Sequence, residues 1–209
     1  MCESVWIGLC GRSGAGKGYI SRLFAERGIP SVDTDAVYRE MTGPADVLSP
    51  CMRELVGEFG EEILNPNGSL NRRFLSDLVF SDTGDDARKT LNRITHAHIL
   101  HRTRQLAEAL ADKGNPMVLI DAPLLFESGF DSFCRFTVCV SAPDEVCVSR
   151  IMTRDGLMEA EARRRLASQI PREELEARCD FTVVNDGIAP LSEQVAEIYN
   201  ARVRSVGVE

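Results

Sequence analysis

The chain has 209 residues, enough for one well-buried core and too few to favour two large domains. Hydrophobic residues make up 44% and charged residues 27%, ordinary globular values that exclude a disordered or fibrous chain. A formal charge of −8 opposes general binding to nucleic acid or to an anionic membrane, since both need a positive surface.

The first predicted element is Val5 to Cys10, apolar but for Gly8 and bounded by Gly11, which reads as a strand buried on both faces. A glycine-rich turn follows, and then an amphipathic helix carrying Ile20, Leu23 and Phe24. Ile29 to Asp33 reads as a second, shorter strand. Residues 36–112 are far more than one crossover helix needs. They hold helical spacing (Met52, Leu55, Val56, Phe59) and the turn Asn65-Pro66-Asn67-Gly68, so they are expected to form a helical insertion. Met117 to Asp121, Phe136 to Val140 and Phe181 to Asn185 are three more strands, while residues 151–179 carry many arginines and no strand pattern, as a helical flap would. Strands alternating with helices predict an α/β fold with a parallel sheet covered on both faces, in a single domain whose core comprises about 1–35, 113–150 and 180–209. No uncharged apolar run approaches the ~20 residues a membrane span needs. The apolar start runs into a glycine turn rather than a cleavage site, so a cytoplasmic protein is expected.

The seven cysteines (Cys2, Cys10, Cys51, Cys134, Cys139, Cys147, Cys179) are odd in number and form no C-x-x-C pair, which speaks against both a disulfide framework and a zinc site. Cys10, Cys139 and Cys147 lie in apolar stretches and read as small core residues.

The segment Gly11-Arg12-Ser13-Gly14-Ala15-Gly16-Lys17-Gly18 matches the phosphate-loop pattern G-x-x-x-x-G-K, following a buried strand and opening a helix. Its glycines allow a turn whose N–H groups surround a phosphate, the helix adds its positive end, and Lys17 reaches the β and γ phosphates of ATP. Gly18 stands where Ser or Thr is usual. Without that hydroxyl, Mg²⁺ must be held by ATP oxygens, water and carboxylates from elsewhere. The Gly-Lys-Gly ending resembles adenylate kinases, so it is compatible with catalysis.

Asp33 and Asp35 follow the second strand at its carboxyl end, where open parallel sheets bind ligands. An acceptor hydroxyl needs a carboxylate to take its proton, and Asp35 is the candidate base, with Asp33 a candidate water-mediated metal ligand. The alternative for either one is to cap the helix starting near Ala36. Asp121 ends its strand where a second metal-facing acid is expected, and Pro123-Leu124-Leu125-Phe126-Glu127 follows as a candidate substrate wall or as packing.

Taken in order, the phosphate loop, Val32-Asp33-Thr34-Asp35 with Arg39, Gly68-Ser69-Leu70-Asn71-Arg72, Ile94-Thr95-His96, Pro123 to Glu127, Arg154-Asp155 and Asn185-Asp186-Gly187 resemble the dephospho-CoA kinase family over nearly the whole chain. The resemblance implies a P-loop kinase-like five-stranded parallel sheet, a helical acceptor domain and an arginine-bearing lid. It also implies transfer of the γ-phosphoryl of ATP to the 3′-hydroxyl of dephospho-CoA, with Mg²⁺ as cofactor, in a monomer or small homo-oligomer. On the same ground Ser13, Gly14, Ala15, Gly16, Lys17 and Gly18 form the ATP phosphate site, and Asn185 and Gly187 approach adenine. Arg39, Arg72, His96, Leu124 and Glu127 are expected at the substrate, and Lys17, Asp33, Asp35 and Arg154 in catalysis. Two further departures from the family are Ala97, where Pro is frequent, and Leu175, where a lid Lys is frequent; Arg150, Arg172 and Arg178 are candidates to replace that Lys. Arg163, Arg164 and Arg165 read as a solvated helix face, and His98 and His101 as surface or packing residues.

Overall fold

The computed structural model describes residues 5–79, 84–115 and 117–203; Cys2, residues 80–83 of the expected insertion and residues 204–209 of the expected core lie outside these. The described residues form two compact units, residues 1–32 with 107–209, and residues 33–106.

The first unit is built on the expected sheet. Its strands are β1 (Val5–Cys10), β2 (Ser31–Asp33, whose last residue begins the second unit), β3 (Met117–Asp121), β4 (Phe136–Ser141) and β5 (Phe181–Val184). The spatial order is β2-β3-β1-β4-β5, with β1 parallel to both β3 and β4, and β4 parallel to β5. The five-stranded parallel fold is therefore as expected. Val118, Leu119, Ile120 and Val138 are fully buried, as strands covered on both faces require. Helices α1 (Lys17–Ala25), α6 (Asp144–Asp155) and α9 (Leu191–Ile198) supply Ile20, Phe24, Ile151 and Val195 to the same core. Two more helices, α7 (Glu159–Ala167) and α8 (Arg172–Arg178), fill the region read as a flap.

β2 is shorter than the expected Ile29 to Asp33. Pro30 has no N–H to offer a ladder, yet its carbonyl still accepts from the Leu119 N–H at 2.9 Å. β5 ends at Val184, one residue early, although the Asn185 N–H still reaches the Ser141 carbonyl at 2.7 Å.

The second unit comprises α2 (Thr34–Thr42), α3 (Pro50–Phe59), α4 (Arg72–Val79) and most of α5 (Asp85–Ala111). Its own small core gathers Met52, Leu55, Ile63, Leu75 and Ile94. Ser49 caps α3 by accepting from the Met52 N–H at 3.1 Å, and Pro50 opens the helix where its missing N–H costs nothing. The Asn65–Gly68 turn closes as read, with Gly68 N–H on the Asn65 carbonyl and Gly68 at φ 76°. Leu55 is completely buried at the centre of this core, so Leu55→Ala should lower the stability of the unit by about 3 kcal/mol, measured as a reduced urea midpoint.

Candidate active site

The geometry of the phosphate loop is dictated by crowding. Gly14, at φ 82°, runs so close to α6 that an added Cβ would stand 2.5 Å from the Cys147 carbonyl oxygen. At Gly11 it would stand 2.6 Å from the Val140 carbonyl oxygen, and at Gly16 it would strike the Asn185 amide. Glycine is needed at these points, both for left-handed backbone and for close approach.

Side chains from distant segments hold the loop in place. Asn185 is buried, and its Nδ2 donates to the Ala15 carbonyl at 2.7 Å. Arg150 donates through Nη1 to the Gly14 and Ala15 carbonyls at 3.2 and 3.3 Å and through Nη2 to Asn185 Oδ1 at 3.2 Å. Arg12 points away from the loop, donating to Asp144 Oδ1 at 2.7 Å and to the Leu166 carbonyl at 3.0 Å, which ties the loop to α6 and α7. The Gly14 and Ala15 carbonyls are thus engaged by side chains, while the Ala15 N–H closes the turn on the Arg12 carbonyl at 3.0 Å.

Lys17 opens α1, and its Nζ pairs with Asp121 Oδ1 at 3.2 Å. Both side chains are largely shielded, so the pair is screened less than a surface one. The Ser13 N–H is taken by Gln169 Oε1 at 2.9 Å, and Ser13 Oγ accepts from Arg154 Nη2 at 3.3 Å. Thus Ser13, Lys17, Asp121, Arg154 and Asn185 converge on the loop. Gly187 lies in the turn after β5, where Asp186 Oδ1 accepts from the Ile188 and Ala189 N–H groups and those bonds lower its pKa. The Asn185 side chain supports the loop from the start of that turn.

Arg154 also forms a two-pronged pair with Asp155, through Nε at 2.7 Å and Nη2 at 2.8 Å, and Arg165 joins at 2.7 Å. The hydrogen bond from Arg154, with Arg165 adding its charge, lowers the Asp155 carboxyl pKa below 3.8. Arg163 is paired with Glu145 and Glu159. None of the three cations offered in place of the missing lid Lys is uncommitted: Arg150 serves the loop, Arg172 pairs with Glu173 at 2.8 Å, and Arg178 lies 4.2 Å over the Phe126 ring. Leu175 itself is buried. In the segment after β3, Leu124 and Glu127 are exposed while Leu125 is fully buried, so one side of it packs and the other remains accessible.

In the second unit, Asp33 is the N-cap of α2, its Oδ1 accepting from the Asp35 and Ala36 N–H groups at 2.8 and 3.1 Å. Its Oδ2 lies 3.5 Å from Arg39 Nη2. Asp35 sits exposed in the first turn, so the two acids separate in role: one caps and the other projects. Arg72 lies 5.3 Å over the Tyr38 ring and donates to Thr42 Oγ at 3.4 Å. Burial raises the Tyr38 pKa, with the Arg72 charge opposing it. His96 is half-buried on α5, whereas His98 pairs with Glu54 and His101 with Gln105.

Arg12 and Gln169 are supporting residues that sequence reasoning missed, and Arg150, read as a substitute for the lid Lys, supports the loop. Arg150 and Gln169 carried no local signal, since they lie more than a hundred positions from the loop.

A family model described as dephospho-CoA kinase matches residues 5–190. A dephospho-CoA kinase from Anaeromyxobacter dehalogenans is 41% identical over 181 residues, covering 87% of this chain and 83% of that protein. The chain belongs to the dephospho-CoA kinase family. As a member it is an ATP-dependent kinase of coenzyme A biosynthesis. A solved protein from Thermus thermophilus superposes with a TM-score of 0.73 at 29% identity, covering 98% of this chain and 99% of that one. A solved dephospho-CoA kinase from Campylobacter jejuni, 22% identical, shares the fold with a TM-score of 0.66 over 97% and 98% of the two chains. Among the described residues, no helix is long and apolar enough to cross a membrane.

The loop and the lid generate three expected outcomes. Gly14→Ala should lose ATP binding and more than about 1 kcal/mol of stability, because it meets backbone. Gly18→Ser should fold normally, with a gain of about 0.5 kcal/mol, because nothing lies within 4 Å of its added Cβ; calorimetric melting and nucleotide titration separate the two. Asp155 is depressed in the folded state, so its contribution to stability is present above the ordinary carboxylate range and is lost as pH falls through its lowered folded value. Melting temperatures across an acid series should therefore fall less steeply for Asp155→Asn than for the wild type.

Proposed function

We propose that this chain transfers the γ-phosphoryl group of ATP to the ribose 3′-hydroxyl of dephospho-CoA, giving coenzyme A and ADP. The observation that carries the reading is the glycine cradle ending at Lys17, with Asp121 and Arg154 directed to the same loop. Family membership supplies the acceptor.

The first unit binds the nucleotide. Main-chain N–H groups of Gly14 to Gly18 receive the phosphates at the amino end of α1, where the helix dipole favours negative charge. Lys17 leaves Asp121 for the β and γ phosphates, which frees the Asp121 carboxylate to face a cation. The residues fit Mg²⁺: a shielded carboxylate stands beside the phosphate-binding lysine, and hard oxygen donors are what that ion takes. Bound there, Mg²⁺ would neutralise charge on the β and γ oxygens. Gly18 offers it nothing, and Asp33, with Oδ1 in its cap and Oδ2 beside Arg39, would take part only through water. Arg154 is the mobile charge of the lid. It exchanges Asp155 for the equatorial oxygens of the transferring phosphoryl group, where negative charge spreads as the bond to ADP breaks.

The second unit binds the acceptor. Asp35 takes the proton of the 3′-hydroxyl as its oxygen bonds to phosphorus. Arg39 and Arg72 provide charge for the acceptor's own phosphates, with His96 a further contact; in the first unit, Leu124 and Glu127 are an exposed apolar and acidic pair. The reaction belongs in the cytoplasm, a compartment that suits the six free cysteines among the described residues.

A coupled assay of ADP release with ATP, Mg²⁺ and dephospho-CoA should give turnover with coenzyme A as the product, and greater preference for AMP, CMP or UMP would overturn the assignment. Lys17→Ala and Asp35→Asn should each lower kcat by about 10³-fold with melting unchanged. Full turnover in Asp35→Asn would remove it as the base.

A further inference from the structure

Three cysteines that are far apart in the chain meet at one point in the first unit. Cys10 and Cys139 are register partners on the parallel strands β1 and β4, so their side chains leave the sheet on the same face. Cys179 is the C-cap of α8, two residues before β5. The Sγ atoms of Cys10, Cys139 and Cys179 all lie within 4.8 Å of one another, with Cys10 and Cys179 at 3.4 Å. Cys10 and Cys139 are buried and Cys179 is half-buried, so the cluster is enclosed on the sheet side and open to solvent through one member.

We propose that these three sulfurs form a binding site for a thiophilic d¹⁰ cation, Cu⁺ or Zn²⁺, distinct from the Mg²⁺ of the kinase reaction. Three thiolates about 2.3 Å from a shared ion stand about 3.8–4.0 Å apart, a spacing the cluster reaches with shifts of less than about 1 Å. Among the described residues no His, Asp or Glu joins the group. An all-sulfur set of three selects soft ions over Mg²⁺, with trigonal geometry for Cu⁺, or a water completing the tetrahedron for Zn²⁺.

One feature prepares the site. The segment carrying Cys179 is pinned: Asp180 Oδ2 accepts from the Thr137 N–H at 2.8 Å and hydroxyl at 2.9 Å, and the Asp180 N–H donates to Thr137 Oγ at 3.1 Å. Thr137 is two residues before Cys139 on the same face of β4, so one strand supplies both a ligand and the anchor of another. A disulfide would use only two of the three sulfurs, whereas an ion uses all of them. Because Cys10 immediately precedes Gly11, an ion here would join the end of α8 to the start of the phosphate loop.

The test uses the full chain, reduced with a phosphine and kept under nitrogen. Cd²⁺ is titrated as the probe, followed by its thiolate charge-transfer absorbance, and Zn²⁺ and Cu⁺ are then measured by competition with chromophoric chelators. The expected result is saturation at one Cd²⁺ per chain, displaced by Zn²⁺ or Cu⁺. Cys179→Ser and Cys139→Ser, checked for folding by circular dichroism, should each weaken binding about 100-fold, and Cys51→Ser and Cys134→Ser should not change it. Absence of saturable binding, unchanged affinity in Cys179→Ser, or oxidation to a Cys10–Cys179 disulfide with no uptake of any ion by the reduced protein would each overturn the proposal. No nucleotide is used, so a failed kinase assignment and a failed metal site give separate results.

Discussion

The structure depends on one steric constraint, that the backbone between Gly11 and Gly16 must run in contact with other backbone. The Cys147 carbonyl on one side and the Val140 carbonyl on another leave no room for a methyl group. This proximity lets a buried amide and a guanidinium occupy the carbonyls of Gly14 and Ala15. Side chains that occupy those carbonyls fix the path of the loop, so the segment keeps one backbone conformation.

The supports are unequal in kind. Asn185 is buried and its bond to Ala15 is shielded from water, so losing it would leave a polar group stranded. Arg12 binds an exposed aspartate and a carbonyl, and its value lies more in fixing the orientation of α6 and α7 to the loop than in Coulomb energy. The lid ion pairs among Arg154, Asp155 and Arg165 are mostly exposed, so they are weak individually and easily exchanged. Shielded contacts hold the loop, and exposed, exchangeable ones hold Arg154.

Much of this was legible in the sequence because the signals are local. Val5 to Cys10 and Met117 to Ile120 are apolar runs at strand length, and the loop motif binds phosphate through consecutive residues. The capping alternative for Asp33 could also be read, since an acid at the start of a helical stretch is a local pattern. What was not legible depends on tertiary contact. Gln169 reaches Ser13 across 156 positions, and Cys179 reaches Cys10 across 169. Counting cysteines for C-x-x-C spacing could not find three thiols supplied by two strands and a helix end. The shortened β2 was local but overlooked: Pro30 cannot donate to a ladder.

The contacts of Lys17 and Ser13 also bear on how nucleotide affinity should be understood. Lys17 is already neutralised by Asp121, and the Ser13 amide is already satisfied by Gln169, so the ligand-free loop is internally solvated by its own side chains. Filling it is a substitution reaction, in which each incoming oxygen replaces an existing partner. The heat released is then a difference between two bonded states, smaller than a count of phosphate contacts would suggest. The compensation is that departing ADP leaves no naked charge behind.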